Sequence, residues 1–263
     1  MKRLLNPLIE RLVNHAFAVD QYADMFEKLA LRPQNPALMR RLFGHKVAED
    51  VRRHPLLFIH IPKNGGTSIK RALYGSDPGH ATVRFYDMVA PELLRGATSF
   101  GLLREPADRF LSGFDFLMNG GGSDVSILPS VMRRLSGIAS IDDFLDYLEA
   151  IAGDWLKVDT FARPQWWYVA DRQGRIRIDR LWLLGEQNSA VAEFLAGWGV
   201  PGMPHANRTA RASHVLSKQQ KARLERIYAA DVALYALVRQ EPGIGGHALL
   251  QKLPAGLRPV LQL

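Results

Sequence analysis

Three short, nearly unbroken apolar runs punctuate this chain, at 56–61, 98–103 and 180–185. Between them, apolar residues recur every three or four positions. Continuous short runs predict strands covered on both faces, and the longer period predicts amphipathic helices. After the first run, Ile69, Ala72 and Leu73 share a helical face; after the second, Phe110, Phe114 and Leu117 do so. Ser140 caps a helix with Asp142 and Asp143 in its first turn and Phe144, Leu145, Leu148 and Ile151 inward. A helix over 188–198 follows the third run. Ser217 with Gln220 forms a capping box opening one long helix that carries Leu224, Ile227, Leu234, Tyr235 and Val238. Alternation of strand and helix predicts an α/β fold, a mainly parallel sheet flanked by helices.

The ends differ from the middle. Leu5, Leu8, Ile9, Leu12 and Ala16 mark one helical face, continued over Tyr22 to Leu31 until Pro33 and Pro36 break it. Residues 1–50 therefore read as a helical extension, packed on the domain or a partner, with peripheral membrane contact as the alternative. The catalytic domain is expected over 51–240, and the Gly/Pro-rich tail, 241–263, is expected to wrap the surface or stay mobile. Asn119-Gly-Gly-Gly-Ser opens a stretch, 119–139, that reads as a mobile loop or lid.

The chemistry concentrates in Phe58-Ile-His-Ile-Pro-Lys-Asn-Gly-Gly-Thr-Ser68. A strand feeding a glycine turn into a helix start is an anion cradle, because first-turn N–H groups lack partners and the helix dipole favours negative charge. It is not the usual nucleoside-triphosphate loop, which places lysine directly after its second glycine and before a magnesium-binding hydroxyl. Here Lys63 precedes Gly65 and Gly66. A second strand-to-helix unit ends in Arg104-Glu-Pro-Ala-Asp-Arg-Phe-Leu-Ser112, with Pro106 suited to a first helical turn. Arg104 at the strand end and Ser112 two turns along can meet one phosphate at the mouth of a parallel sheet.

The order Pro62-Lys-Asn-Gly-Gly-Thr-Ser68, followed by Arg104 through Ser112, resembles the two donor-binding motifs of sulfotransferases that use 3′-phosphoadenosine 5′-phosphosulfate. The nearest resemblance is to the carbohydrate sulfotransferases, including the uronyl 2-O enzymes and their bacterial relatives. Phe161-Ala-Arg-Pro-Gln165, Gly185-Glu-Gln-Asn188, Pro204-His-Ala-Asn-Arg-Thr209 and Tyr228-Ala-Ala-Asp231 echo later family segments, so the resemblance spans about 54–240. It implies a P-loop-like three-layer sandwich and no metal. Lys63, Asn64, Gly65, Gly66, Thr67 and Ser68 would hold the 5′-phosphosulfate, Arg104 and Ser112 the 3′-phosphate, and Asn207 and Arg208 would join them. Arg109 would brace its helix. Glu105 departs from the family's usual Asp.

On the same resemblance, Lys63 stabilises the leaving phosphate and His80, in a Gly-His context, is the base. His205, Glu105 and Glu186 are the alternatives. Imidazole suits proton removal near neutrality. Acceptor contacts are assigned to Arg84, Arg163 and Trp166, and the acceptor is expected to be a carbohydrate or glycolipid. Trp167, Arg133 and Arg134 are weaker candidates.

Composition narrows the field. A net charge of +8 suits a polyanionic donor, and arginines spread along the chain without a recognised nucleic-acid module argue against nucleic-acid binding. No cysteine is present, which excludes disulfides, thiolate metal sites and a cysteine nucleophile. No apolar run approaches the ~20 residues that span a bilayer. Pro7, Glu10 and Arg11 interrupt any signal-peptide core. A cytoplasmic, bacterial-type enzyme, at most peripheral to the inner membrane, is the expectation. A phosphate-loop kinase and a non-catalytic anion-binding module are the competing functions.

Overall fold

The structure, a computed structural model, describes residues 12, 15–17, 19, 21–32, 35–122, 126–151, 153–200 and 214–253. Its centre is a three-stranded parallel sheet in the order β1 (Leu56–Phe58), β2 (Thr98–Leu103), β3 (Arg180–Leu183). Leu56 pairs with Thr98 and Phe58 with Phe100; Phe100 pairs with Arg180 and Leu103 with Leu183. The apolar side chains of these strands are buried, as parallel strands covered on both faces require.

Helices α1 (Tyr22–Leu31), α2 (Pro36–Phe43) and α3 (Glu49–Arg53) precede the sheet. Between β1 and β2 lie α4 (Thr67–Tyr74), α5 (Val83–Val89) and α6 (Pro91–Gly96). Then come α7 (Pro106–Met118), α8 (Pro129–Arg134), α9 (Ile141–Ile151) and α10 (Trp166–Val169) before β3. α11 (Asn188–Ala196), α12 (Lys218–Ile227), α13 (Ala229–Gln240) and α14 (Gly246–Lys252) complete the order.

Two apolar clusters hold these elements. The larger surrounds the sheet and draws in Leu31 and Met39 from the N-terminal helices and Leu249 from α14. The smaller joins α7, α9 and α12 through Phe110, Phe114, Leu117, Phe144, Leu145 and Leu224. α1 and α2 both pack on α5, so the helices from Tyr22 onward rest on the domain itself.

Several boundaries depart from the sequence expectation. β1 stops at Phe58, and Ile59 donates one further bond to Phe100 O at 2.8 Å. Beyond it Pro62 offers no N–H and Lys63 adopts a left-handed φ of 67°, so the ladder cannot continue. The single long helix after Ser217 is two helices, because Tyr228 leaves helical geometry at φ −107°, ψ 32°. The Ser217–Gln220 capping box is present. Within 119–139, α8 replaces part of the expected loop.

Of the two expectations for the tail, its described part, up to residue 253, follows the first and wraps onto the domain. Gly243 N donates to Leu181 O at 2.9 Å, Leu181 N donates to Ile244 O at 3.1 Å, and Gly246 N donates to Ile178 O at 2.7 Å. Residues 243–252 thus strap β3 and bury Ile244 and Leu249. Glycine is needed for that approach: a Cβ on Gly246 would fall 2.2 Å from Ile176 O.

Candidate active site

β1 and β2 lie side by side, so their C-terminal ends bring the two strand-to-helix units together. The first loop is anchored from the second unit at three successive residues. Arg109 Nε donates to Pro62 O at 3.1 Å, and Arg104 Nη1 donates to Lys63 O at 3.2 Å. Asn64 Nδ2 donates to Leu102 O at 2.6 Å and to Gln165 Oε1 at 2.7 Å. Gln165 in turn accepts from Arg104 N and donates to Arg104 O, each at 2.9 Å. Its own N–H, with that of Trp166, is taken by the buried carboxylate of Asp231 at 2.7 and 2.9 Å.

Asn64, expected among the donor contacts, therefore has its side chain elsewhere: it is 1% exposed and its amide is committed to the clamp. Lys63 is the only non-glycine residue with positive φ among the described residues. Such a conformation costs on the order of 1–3 kcal/mol and persists where surroundings over-determine it. The anchors on both sides of Lys63 do so.

Lys63 Nζ rests 4.2 Å from the centroid of Phe116. Burial, then the positive charge of Arg104, pull its ammonium down to about 8; Asp115 opposes this and Arg109 adds to it. Lys63, Arg104 and Arg109 thus converge on one loop, opposed among the described residues by Asp115, Asp108 and Glu105. No side chain caps the N-terminus of α4, which is Gly66, and no acid lies in its first turn. Thr67 is exposed and Ser68 half-buried there, while Gly65 is exposed at φ 68°. Gly66 is required by packing, since a Cβ would lie 2.3 Å from His60 Cδ2 and 2.8 Å from Phe58 Cε1.

Arg104 is half-buried, and Ser112 Oγ and Arg109 Nη2 are buried without a hydrogen-bond partner. Unmatched buried donors beside a cationic loop fit a phosphate group better than they fit a finished core. Glu105, the departure from Asp, caps α7 by accepting from Asp108 N at 2.7 Å. Glu186 is held by Tyr235 OH at 2.6 Å and Arg239 Nε at 3.0 Å. Asn207, Arg208 and His205 lie outside the described residues.

His80 reaches the same place from another direction. Its ring packs on His60 at a tilt, 4.3 Å between centroids, and meets Phe161 edge-on at 5.9 Å. Phe161 contacts Phe116 at 4.4 Å, so Lys63 and His80 flank one aromatic pair. Burial, then the charge of Lys70, hold the His80 imidazole down at about 4, leaving it neutral at physiological pH. Lys70 is itself paired with Asp77, whose other contact is Gly79 N at 2.8 Å.

Three acceptor-side expectations are corrected. Arg84 is buried, donating to Ala170 O at 2.7 Å and pairing with Glu27 at 2.9 Å. Arg163 is buried, bonded to Trp155 O and Val158 O and paired with Asp24 at 2.8 Å. Trp166 packs in the core. Both guanidiniums face internal partners that no local sequence pattern reveals, with Arg84 Nε buried and unmatched. A cavity of ≈ 400 Å³ opens beside His80 instead, walled partly by Trp167, Phe161 and residues of α1.

Comparison with known proteins decides the family. The family model described as "Sulfotransferase family" matches residues 50–237. The chain belongs to the sulfotransferase family. Neither curated proteins nor solved structures gave a match. As a sulfotransferase family member the chain is a transferase that moves sulfuryl groups, and its parallel sheet between helices accords with the family's P-loop-like fold. Among the described residues no group of His, Asp and Glu is arranged to hold a metal. Nor, among them, is any helix long and apolar enough to cross a membrane.

Proposed function

We propose that this sulfotransferase takes its sulfuryl group from 3′-phosphoadenosine 5′-phosphosulfate and passes it to a hydroxyl of a carbohydrate or glycolipid. The reading is carried by one observation: Arg104, from the second strand-to-helix unit, is bonded to the carbonyl of Lys63 in the first. Two anion sites held this close suit a nucleotide bearing phosphates at both 3′ and 5′ positions, whereas a nucleoside triphosphate needs only one.

The donor supplies an activated sulfuryl group on a phosphosulfate anhydride. The open N–H groups of α4, with Thr67 and Ser68, hold the 5′ end; Arg104 and Ser112 Oγ hold the 3′-phosphate. His80 Nε2 takes the acceptor's hydroxyl proton as that oxygen bonds to sulfur. The bond from sulfur to the bridging oxygen breaks, and the Lys63 ammonium stabilises the charge that arrives on the phosphate. The products are a sulfate ester and adenosine 3′,5′-bisphosphate.

Adenosine 3′,5′-bisphosphate is expected to raise the melting temperature, and Arg104→Ala and Ser112→Ala to diminish that rise. No rise at millimolar nucleotide removes this reading. A magnesium-dependent rise with ATP would favour a kinase in its place.

A further inference from the structure

Resting on the sulfuryl-transfer reading, we infer that the cavity beside His80 is the acceptor site and that it selects an uncharged, polyhydroxylated ring, a neutral sugar unit, rather than an acidic polysaccharide. Its ≈ 400 Å³ lies toward the small end of the ~300–1,000 Å³ typical of small-molecule sites. That room suits a short saccharide unit.

The charges on the wall argue against an anion. Asp24, Glu27 and Asp159 line the cavity against only Lys46 and Arg163 among the described residues. Arg163 is not free to meet a uronate or sulfate, and Lys46 is the one exposed base on the wall among the described residues. Arg163 is held by Asp24 and two backbone carbonyls, and the Lys46 ammonium lies over the rings of Tyr22 and Phe26 at 5.9 and 6.0 Å. Each carboxylate also has a partner of its own, Asp24 in Arg163, Glu27 in Arg84 and Thr82, and Asp159 in Gln21, and its remaining lone pairs can accept from the hydroxyl groups of a neutral polyol.

The remaining wall is aromatic. Phe26, Phe85, Phe161, Trp167 and Tyr168 line it, offering ring surface to the apolar face of a sugar. His80 lies in the same wall, so a hydroxyl entering here arrives at the base. Asp24, Phe26 and Glu27 belong to α1, which precedes the family-matched segment at residues 50–237. Acceptor choice is therefore set in part by a helix outside the shared catalytic region.

The test uses the full chain, sulfur-radiolabelled donor and three acceptor classes: methyl glycosides of glucose, galactose and mannose; unsulfated chondroitin; and 4-nitrophenol. Label is expected on at least one glycoside and not on chondroitin. Phe26→Leu shrinks the aromatic wall, and Ser126→Trp places bulk at an exposed position on the rim. Each is expected to raise the glycoside KM about tenfold or more with donor KM unchanged. The melting-temperature rise with adenosine 3′,5′-bisphosphate verifies that each variant is folded and its donor site intact. If that rise is present in the wild type yet chondroitin or 4-nitrophenol alone is labelled, or nothing is, the acceptor inference is overturned while the donor reading stands. Unchanged glycoside KM in both folded variants overturns it as well. Absence of the rise in the wild type removes the donor reading itself.

Discussion

Nδ1 of His80 lies 3.1 Å from the carbonyl oxygen of His60. A carbonyl only accepts, so Nδ1 carries the proton and Nε2 keeps its lone pair, the tautomer a general base needs. If His80 is the base, as proposed, the His60 carbonyl orients it in the way a carboxylate orients it in other enzymes.

Asn at position 80 keeps a side-chain N–H for the His60 carbonyl and loses the base. His80→Asn is therefore expected to lower kcat by about 10²–10⁴ with little change in donor KM. In the wild type, kcat/KM should fall on the acid side near 4 as His80 protonates and on the alkaline side near 8 as Lys63 loses its charge. A pH–rate profile of both proteins checks this; retention of the acid limb in His80→Asn would assign it to another group.

The same histidines set an acid limit on stability. His80 is held at about 4 against an ordinary value of 6.5, and His60 is held well below 6.5 by burial and then by His80. Groups with depressed histidine pKa bind fewer protons folded than unfolded. Stability is full above 6.5 and declines as pH falls from there toward 4. Each contributes a slope of up to about 1.4 kcal/mol per pH unit. Asp231 acts oppositely: burial raises it to about 6, so its penalty eases as pH falls through 6 toward 3.8. Urea unfolding at pH 7 and pH 5 is expected to show a smaller loss for His80→Asn than for the wild type, because Asp231 is common to both.

Packing of His60 explains why glycine stands at position 66. The ring is clamped between Phe58, 5.7 Å away, and His80, 4.3 Å away, and has no room to retreat from a Cβ. Gly66→Ala is expected to cost about 1–3 kcal/mol, as overpacking does, and to abolish the nucleotide-induced melting shift. Adding His60→Ala to Gly66→Ala should restore part of that stability; additive losses in the double-mutant cycle would show the two sites to be independent.

What was legible in the sequence was local. The two strand-to-helix units, the misplaced lysine and the capping box follow from spacing within a dozen residues. The clamp of Asn64 on Gln165 spans 101 residues, and nothing near either one announces the other. Arg84 and Arg163 looked available because their carboxylate partners, Glu27 and Asp24, lie in a helix whose docking only the tertiary fold reveals. The tail was left open between wrapping and mobility for a different reason. Its glycines signalled a loose segment, when they serve to let a strap approach the backbone of 176–179.

Asn64 is where the architecture of the loop is most exposed to a single atom change. Its amide nitrogen faces two acceptors, Leu102 O and Gln165 Oε1, and the latter cannot turn without losing both bonds to the Arg104 backbone. Asn64→Asp replaces the shared donor with a buried carboxylate oxygen against two other oxygens. Loss of the bonds plus an unpaired buried charge is expected to cost about 3–5 kcal/mol, whereas Asn64→Ala, which leaves the acceptors unmatched without adding charge, should cost about 1–3 kcal/mol. Chemical denaturation of the two variants separates these values. The order matters more than either magnitude: if Asn64→Asp were the milder change, the clamp would not depend on a donor at this position, and the fixed placement of Lys63 beside Arg104 would need another cause.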